Sequence, residues 1–522
     1  MTETDRSARR VAAPFLALSV LCCLFAFVGL DVTSYWIDEL FTLFVIDHDG
    51  GMREVLSRAL TDTHPPAYYF IAHAWIRLFG SSETALRALS AVFAVGAVWV
   101  FFWTLKPWFS LPARAVATLV AAASTLTFDY AQTARSYSLC VLIATGLMGL
   151  ALAIHARSRE GEPVPWRLLG PFWLLSLLAS YTHFYLFLMV GGLHLFILVG
   201  AKTTRFRILV LVSGALLFAL MAAYVAVLLR DTRQDLQNMW FKNTPSFLFR
   251  QALWAVGRTW SGGIGAILVL ALAPWSDRLK LARGVAVPTP PDRPLWPLAM
   301  SGTVVAVTVA VGLAISFVVA PSFGKRNLLV FAPFMWLLPA WLYDAVAPDP
   351  ATRGGKLLIG SVLVLVGVNA VQLPVRFKPR DEDWRASAAY VAGLPGCRTT
   401  ELPVVLPWIF GPSTPFFRDL AQHYFYGRYY PDFAHLHAFT PAEFDRPDKV
   451  PALQALLARR DGCPVVAWGV HDLDAENEPS LAADLSRAIG ARVVEKRFDF
   501  RRPGAVGFSK RTTGAWVFLR PN

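Results

Sequence analysis

Charged residues are scarce in this sequence of 522 residues: they make up 16% of it, whereas hydrophobic residues make up 55%. With a mean hydropathy of +0.46, the chain is no ordinary soluble protein, and we expect it to cross a membrane several times. The formal net charge of +13 does not indicate nucleic-acid binding, because the sequence has no basic stripe and no nucleic-acid motif. Its basic residues lie in loops between apolar runs, as the positive-inside rule requires.

Cysteine is also rare, with five in the chain. Cys22, Cys23 and Cys140 lie in apolar runs and are interpreted as small buried hydrophobic residues. Cys397 and Cys463 lie in the polar C-terminal part, each after a glycine. A disulfide between them is expected if that part faces an oxidising compartment; two buried free thiols are the alternative.

No small-residue cleavage pattern follows the first apolar run, so we predict a retained first span over about residues 11–30. Arg6, Arg9 and Arg10 precede this run and place the N-terminus in the cytoplasm. The next apolar stretch, AYYFIAHAWIRLFG, would reach only ~21 Å as a helix, short of a ~30 Å hydrocarbon core. We therefore predict that it lies along the membrane surface within a long external loop.

The remaining apolar runs predict a polytopic α-helical membrane protein with about 11 transmembrane helices, situated in the inner (plasma) membrane with its C-terminus outside. This assignment leaves the basic loops HARSREGEPVPWR, AKTTRFR, SDRLKLARG and ATRGGK in the cytoplasm. The further predicted spans are 84–105, 113–129, 137–155, 168–181, 184–200, 207–229, 258–274, 296–320, 328–345 and 357–373.

The composition changes near residue 376, and residues 376–522 are polar enough to fold in water. Short β-rich runs alternate there with helical patterns such as EDWRASAAYVAGL. We predict a transmembrane domain over 1–375, with an external loop at 31–83, and a periplasmic or extracellular α/β domain over 376–522. Nothing in the C-terminal part resembles a phosphate loop or a catalytic triad.

Two acids, Asp38 and Glu39, follow the first predicted span. A carboxylate at the edge of a bilayer is costly to keep ionised, so an acid pair there predicts a functional site. The alternative is a structural role, with Thr33 or Ser34 capping a helix that begins near Tyr35 and the acids in its first turn.

Cations and aromatic residues recur at the external ends of the predicted spans, on the side where the charge rule does not expect cations. Together with the acid pair they indicate a site for an anionic group beside a base, and a phosphate at the membrane surface fits. The candidate binding residues are His64, Arg87, Arg135, Tyr137, Tyr181, His183, Lys325 and Arg326.

Six short motifs occur in order within residues 11–375: WIDELFT, DTHPPAYY, ETALRALSAV, QTARSYSL, LASYTHFYLFL and KRNLLVFAPF. Together they resemble glycosyltransferase family 39, whose GT-C enzymes are related to protein O-mannosyltransferases and to aminoarabinose transferases of lipid A. The resemblance implies a GT-C transmembrane domain. It also implies transfer of a sugar from a polyprenyl phosphate to an acceptor hydroxyl of a glycan, lipid or protein, on the external face and with inversion.

The same resemblance implies roles for individual residues. Asp38 would be the general base, and Glu39 would orient it or contact the acceptor. Lys325 and Arg326 would hold the lipid phosphate, with Arg87 and Arg135 as the next candidates. His64 stands before the proline pair, where some relatives place a phosphate-contacting residue.

Two other functions compete. Asp47, His48 and Asp49 form a D-x-D-like run, so a metal-dependent, oligosaccharyltransferase-like enzyme is one alternative, although the run also fits a turn and helix cap. A secondary transporter is the other; it would require charges near mid-membrane and an internal repeat, whereas the charges lie at one face and no clear repeat is found. We expect no cofactor, with a divalent metal as the alternative.

Overall fold

The computed structural model of the chain describes most of residues 3–346 and separate pieces of the remainder. The described residues are 3–62, 64–232, 243–260, 264, 267–268, 271–272, 295–319, 321–346, 358, 360, 367, 377, 382–394, 397, 402–405, 427–430, 436–439, 466–468, 492–503 and 508–519.

Most of these residues are helical, as the long apolar runs predict. The first helices are α1 (Glu3–Phe25), α2 (Ile37–Ile46), α3 (Gly51–Ala59), α4 (Ala67–Phe79), α5 (Glu83–Thr104), α6 (Leu111–Ala122), α7 (Thr125–Ala131) and α8 (Tyr137–Glu160). Then follow α9 (Trp166–Ser180), α10 (Phe184–Gly200), α11 (Thr204–Thr232), α12 (Pro245–Trp260), α13 (Trp296–Val318), a 3₁₀ helix (Asn327–Phe331), α14 (Ala332–Val346) and α15 (Trp384–Ala392).

Among the described residues, 6 helices are long and apolar enough to cross a membrane, and α6 and α7, bent by 53° to each other, would make up to 7. The six are Arg6–Phe25, Glu83–Thr104, Tyr137–Glu160, Thr204–Leu228, Trp296–Val318 and Asn327–Ala345. The larger number predicted from the sequence stays a prediction, and its spans at 258–274 and 357–373 lie mostly outside the described residues. The surface orientation of α4, which has 13 residues, also stays a prediction.

The chain divides into two compact units. The first contains Met1–Val28 and Asp49–Leu373, and the second contains Gly29–His48 and Pro374–Asn522. From the sequence we predicted the boundary between the transmembrane and C-terminal domains after residue 375, two residues later than in the structure. We also assigned residues 31–48 to an external loop of the transmembrane domain. The structure groups them with the C-terminal part instead, because residues 34 and 37 are hydrogen-bonded to residues 382 and 384.

Within the first unit, glycines let helices approach closely. A Cβ atom on Gly149 of α8 would collide with the side chain of Thr104 in α5. A Cβ atom on Gly192 of α10 would lie 3.0 Å from Cα of Val304 in α13. Small residues at such crossings allow the close backbone packing that holds membrane helices together.

The second unit contains α2, α15 and a five-stranded sheet in the order β2-β1-β3-β5-β4. The strands are β1 (Leu402–Val405), β2 (Leu436–Phe439), β3 (Val466–Trp468), β4 (Arg492–Pro503) and β5 (Phe508–Leu519). β1 is parallel to β2 and β3, whereas β5 is antiparallel to β3 and β4. The α/β class of this part stays a prediction, since the helical patterns after residue 450 lie outside the described residues.

Cys397 is disulfide-bonded, whereas Cys22, Cys23 and Cys140 are not part of a disulfide. Cys463, the partner that the sequence predicts for Cys397, lies outside the described residues.

Candidate functional site

The two acids of the second unit have different environments. α2 begins at Ile37, so Asp38 and Glu39 lie in its first turn, where the helix dipole favours negative charge. Oε2 of Glu39 accepts a hydrogen bond from the backbone N–H of Trp36 at 3.3 Å, and Glu39 is buried. Asp38 is only half-buried. Glu39 therefore caps its own helix, and Asp38 is the more exposed acid of this pair.

The structural alternative is confirmed for the acids in the first turn but not for a cap by Thr33 or Ser34. The helix starts at Ile37 rather than near Tyr35, and Trp36 occupies the N-cap position. The hydroxyl of Ser34 instead donates to the backbone carbonyl of Glu382 at 2.9 Å. A side chain engaged in this contact between distant segments does not cap the helix that follows it.

In the first unit, the loop before α4 meets the start of α8. Nδ1 of His64 lies 3.2 Å from Oδ2 of Asp62 and 3.1 Å from Nη2 of Arg135. Arg135 Nη1 donates to the hydroxyl of Tyr69 at 3.2 Å, and that hydroxyl donates to Asp62. Arg135 is buried, and its Nη2 lies 3.7 Å from Oδ2 of Asp62. The motifs DTHPPAYY and QTARSYSL thus meet side chain to side chain.

His183 joins this group from the motif LASYTHFYLFL. Its ring centroid lies 5.4 Å from that of His64, and its Nδ1 accepts a hydrogen bond from the backbone N–H of Tyr185 at 3.1 Å. The backbone N–H of Ala67 donates to the carbonyl of Tyr181 at 2.9 Å, which holds this segment against the start of α4. We call Asp62, His64, Tyr69, Arg135 and His183 the polar cluster.

The electrostatics of the polar cluster favour an ionised Asp62 and a neutral His183. Burial raises the pKa of Asp62, but the neighbouring His64, Arg135 and Tyr69 outweigh it, so that this pKa lies below its ordinary value. Burial, with His64 and Arg135 nearby, lowers the pKa of His183 to about 3. Burial also raises the pKa of Tyr69, which keeps its hydroxyl protonated as a donor.

A second group of side chains surrounds Trp254 of α12. The Lys325 ammonium lies 4.8 Å from the centre of the Trp254 ring, and the Arg258 guanidinium lies 5.0 Å from it. Arg258 also forms an ion pair with Asp129. Tyr130 connects this group to a predicted site residue, because its ring centroid lies 6.4 Å from that of Trp254 and 4.9 Å from that of Tyr137.

The structure thus gathers His64, Arg135 and His183 in one cluster and links Tyr137 to Lys325 through two aromatic rings. The side chain of Tyr181 is not part of the cluster: its ring packs 5.6 Å from that of Tyr224, and its hydroxyl donates to the carbonyl of Leu220. Of the other predicted site residues, Arg87 is buried in α5, and Arg326 is half-buried directly before the 3₁₀ helix.

Sequence reasoning did not select several residues of these two groups as site residues. Asp62 and Tyr69 belong to the DTHPPAYY motif, and the Asp-x-His spacing was the available signal for Asp62. Asp129 and Arg258 carried the same signal as Arg87, because they stand at the predicted external ends of the spans 113–129 and 258–274, whereas Trp254 offers no comparable signal.

The D-x-D-like run is engaged in other contacts. Within the second unit, Asp47 lies 3.7 Å from Arg428, and Nε2 of His48 lies 2.9 Å from the carbonyl of Val45. Within the first unit, Asp49 lies 3.3 Å from Arg77. In the described part of the chain, no group of three or more histidine, cysteine, aspartate or glutamate residues could hold a metal ion.

No protein-family model matches this chain, and no curated protein does. The structure of ArnT from Cupriavidus metallidurans in the apo state, in contrast, superposes with a TM-score of 0.51 at 15% sequence identity, covering 96% of this chain and 97% of ArnT. The chain therefore shares the fold of this structure. At this identity the similarity establishes the fold alone.

Two further structures have lower TM-scores and add nothing to this assignment of the fold. ArnT bound to undecaprenyl phosphate gives 0.46 at 15% identity, covering 97% of this chain and 98% of that one. The arabinofuranosyltransferase AftD from Mycobacteria also gives 0.46 at 15% identity, covering 98% of this chain but 40% of AftD.

Proposed function

We propose that this chain is a membrane glycosyltransferase that moves a sugar from a polyprenyl phosphate to an acceptor hydroxyl, with inversion, on the external face of the plasma membrane. The observation that carries the proposal is the polar cluster, in which three motifs far apart in the sequence meet within a GT-C fold. Buried charged side chains are costly inside a membrane protein unless function or pairing keeps them there.

Asp38 is the proposed general base. It lies in the first turn of α2 and remains half-exposed, while Glu39 beside it is buried and occupied as a cap. A base that takes the proton from the attacking hydroxyl contributes ~10²- to 10⁴-fold to the rate. The hydroxyl oxygen forms the new bond to the anomeric carbon, and the bond from that carbon to the phosphate oxygen breaks.

The leaving group in this reaction is a lipid phosphate, which fixed positive charge stabilises. We assign this role to Lys325 and Arg326, because both precede the 3₁₀ helix directly and Lys325 is held over Trp254 of α12. Arg135 is paired with Asp62, so we propose that it orients His64 and Tyr69 beside the phosphate. Arg87, Tyr137 and His183 complete the proposed donor site.

The proposed topology keeps the arrangement predicted from the sequence. Eleven spans place the N-terminus in the cytoplasm and an α/β domain of residues 376–522 outside. Asp38 then faces the side on which the sugar is transferred.

The proposal is tested with Asp38→Asn in a strain that lacks its own copy of the gene, by comparing lipid-linked sugars and cell-envelope glycans with those of the wild type. We expect the variant to insert at normal levels and to lose transfer by ~10²- to 10⁴-fold. Asp49→Asn is the matched control, since the Asp49 side chain is 99% exposed and should be dispensable. Unchanged glycans in the Asp38→Asn strain would refute the assignment.

A further inference from the structure

The N-terminus of α2 depends on an acid supplied by a distant part of the second unit. The first N–H groups of any helix have no partner within it. In α2 the N–H of Ile37, the first helical residue, donates to Oε2 of Glu382 at 2.9 Å. Glu382 is 0% exposed, and 345 residues separate the two partners.

A second pair of hydrogen bonds fixes the same contact. The Ser34 hydroxyl donates to the backbone carbonyl of Glu382 at 2.9 Å and accepts from the backbone N–H of Trp384 at 3.0 Å. The indole N–H of Trp384 donates to the same Oε2 that holds Ile37, at 3.2 Å. Glu382 is thereby locked in one position, and the start of α2 is tied to it.

We infer that Glu382 is a positioning residue for Asp38, which follows Ile37 directly in the first turn. This inference rests on the proposed function. It gives the C-terminal part of the chain a role in transfer, because Glu382 orients the first turn of α2 and with it the proposed base, Asp38. Misplacing a reacting group by about 1 Å costs ~10²-fold in rate. The acceptor oxygen of Glu382, rather than its charge, is what the positioning requires.

This distinction determines the variants. Glu382→Met has similar length and no acceptor oxygen, whereas Glu382→Gln keeps an oxygen that can accept from Ile37 and Trp384. Asp383→Ala is the matched control: Asp383 is the neighbouring acid, but its Oδ1 accepts from the backbone N–H of Ala386 at 2.9 Å and caps α15. The Asp383→Ala variant therefore perturbs the same segment but keeps the hydrogen bond between Glu382 and the N-terminus of α2.

The experiment uses the full-length protein in the strain that lacks its own copy, with three readouts: envelope glycans, binding of undecaprenyl phosphate by the purified protein, and hydrogen exchange of peptides covering residues 35–42. We expect Glu382→Met to lose transfer ~10²-fold and to exchange faster at the start of α2, with lipid binding unchanged. Glu382→Gln should retain most transfer, and Asp383→Ala should resemble the wild type in all three readouts.

Full transfer by Glu382→Met overturns the inference. So does a loss that is equal in Glu382→Met and Glu382→Gln, or equal in Glu382→Met and Asp383→Ala. If Glu382→Met does not accumulate in the membrane, Ser34→Ala takes its place, and wild-type exchange and transfer in that variant overturn the inference as well. If Asp38→Asn transfers sugar at the wild-type level, the proposed function itself is refuted. If Asp38→Asn loses transfer but Glu382→Met keeps full transfer, only the positioning role of Glu382 is refuted.

Discussion

Lys325 and Trp254 form a cation–π pair, with the ammonium 4.8 Å from the ring centre. The backbone N–H of Lys325 also donates to Oε1 of Gln251 at 2.9 Å, one turn before Trp254 on α12. Both the backbone and the side chain of Lys325 are therefore held by one helix, which fixes a positive charge beside the 3₁₀ helix.

Lys325→Ala should weaken binding of undecaprenyl phosphate by at least ~10-fold, because hydrogen bonds to charged groups contribute ~1.5–3 kcal/mol. Binding to the purified protein measures this. Lys106→Ala is the control, since Lys106 also lies over a tryptophan, 5.9 Å from the Trp103 ring, but is exposed and outside the proposed site. Equal weakening by the two variants would remove Lys325 from the phosphate site.

Arg135→Met should destabilise the protein by ~3–5 kcal/mol, because it leaves the buried carboxylate of Asp62 without its cation. Adding Asp62→Asn should recover much of the loss in melting temperature but not the transfer activity. A double-mutant cycle isolates this coupling. The same cycle on Arg157 and Glu162, an exposed pair 3.3 Å apart, should give about 0–1 kcal/mol; comparable coupling in both pairs would contradict the expectation.

The sequence predicted the helices well where long apolar runs determine them. The span predicted over 84–105 corresponds to Glu83–Thr104, and the one over 296–320 to Trp296–Val318. It also selected His64, Arg135 and His183, which the structure places in one cluster, because polar residues at the ends of apolar runs are conspicuous. Such patterns are local, and a single sequence displays them directly.

Contacts between distant segments could not be predicted in this way. Asp62 and Arg135 pair although they lie in two different loops, before α4 and before α8, and Ser34 is bonded to Glu382 rather than to its own helix. Neither periodicity nor composition encodes which loops meet, so the sequence could not exclude the alternative that Thr33 or Ser34 caps α2. The close packing at Gly149, which brings α5 and α8 together, is equally invisible in one sequence.

Acidification should destabilise the protein through His183. Its pKa is about 3 in the folded chain and 6.5 ordinarily, so between these values the unfolded state binds more protons and stability falls as the pH falls. The melting temperature should therefore decrease from pH 6.5 downward, and less steeply in His183→Asn. Asp62, whose pKa is also lowered, acts in the same direction only below its ordinary value of 3.8. Parallel pH profiles for the variant and the wild type would contradict this assignment.

Cys397 should resist alkylation until a reductant is added, because it is disulfide-bonded. The free thiol of Cys140 should react in denaturant without reductant and serves as the internal control. Mass spectrometry of non-reduced peptides should find Cys397 linked to Cys463, the partner expected from the sequence. Disulfides persist in oxidising compartments, so the linked peptide would support an external C-terminal part. Alkylation of Cys397 without reductant would remove both the bridge and this argument for the external side.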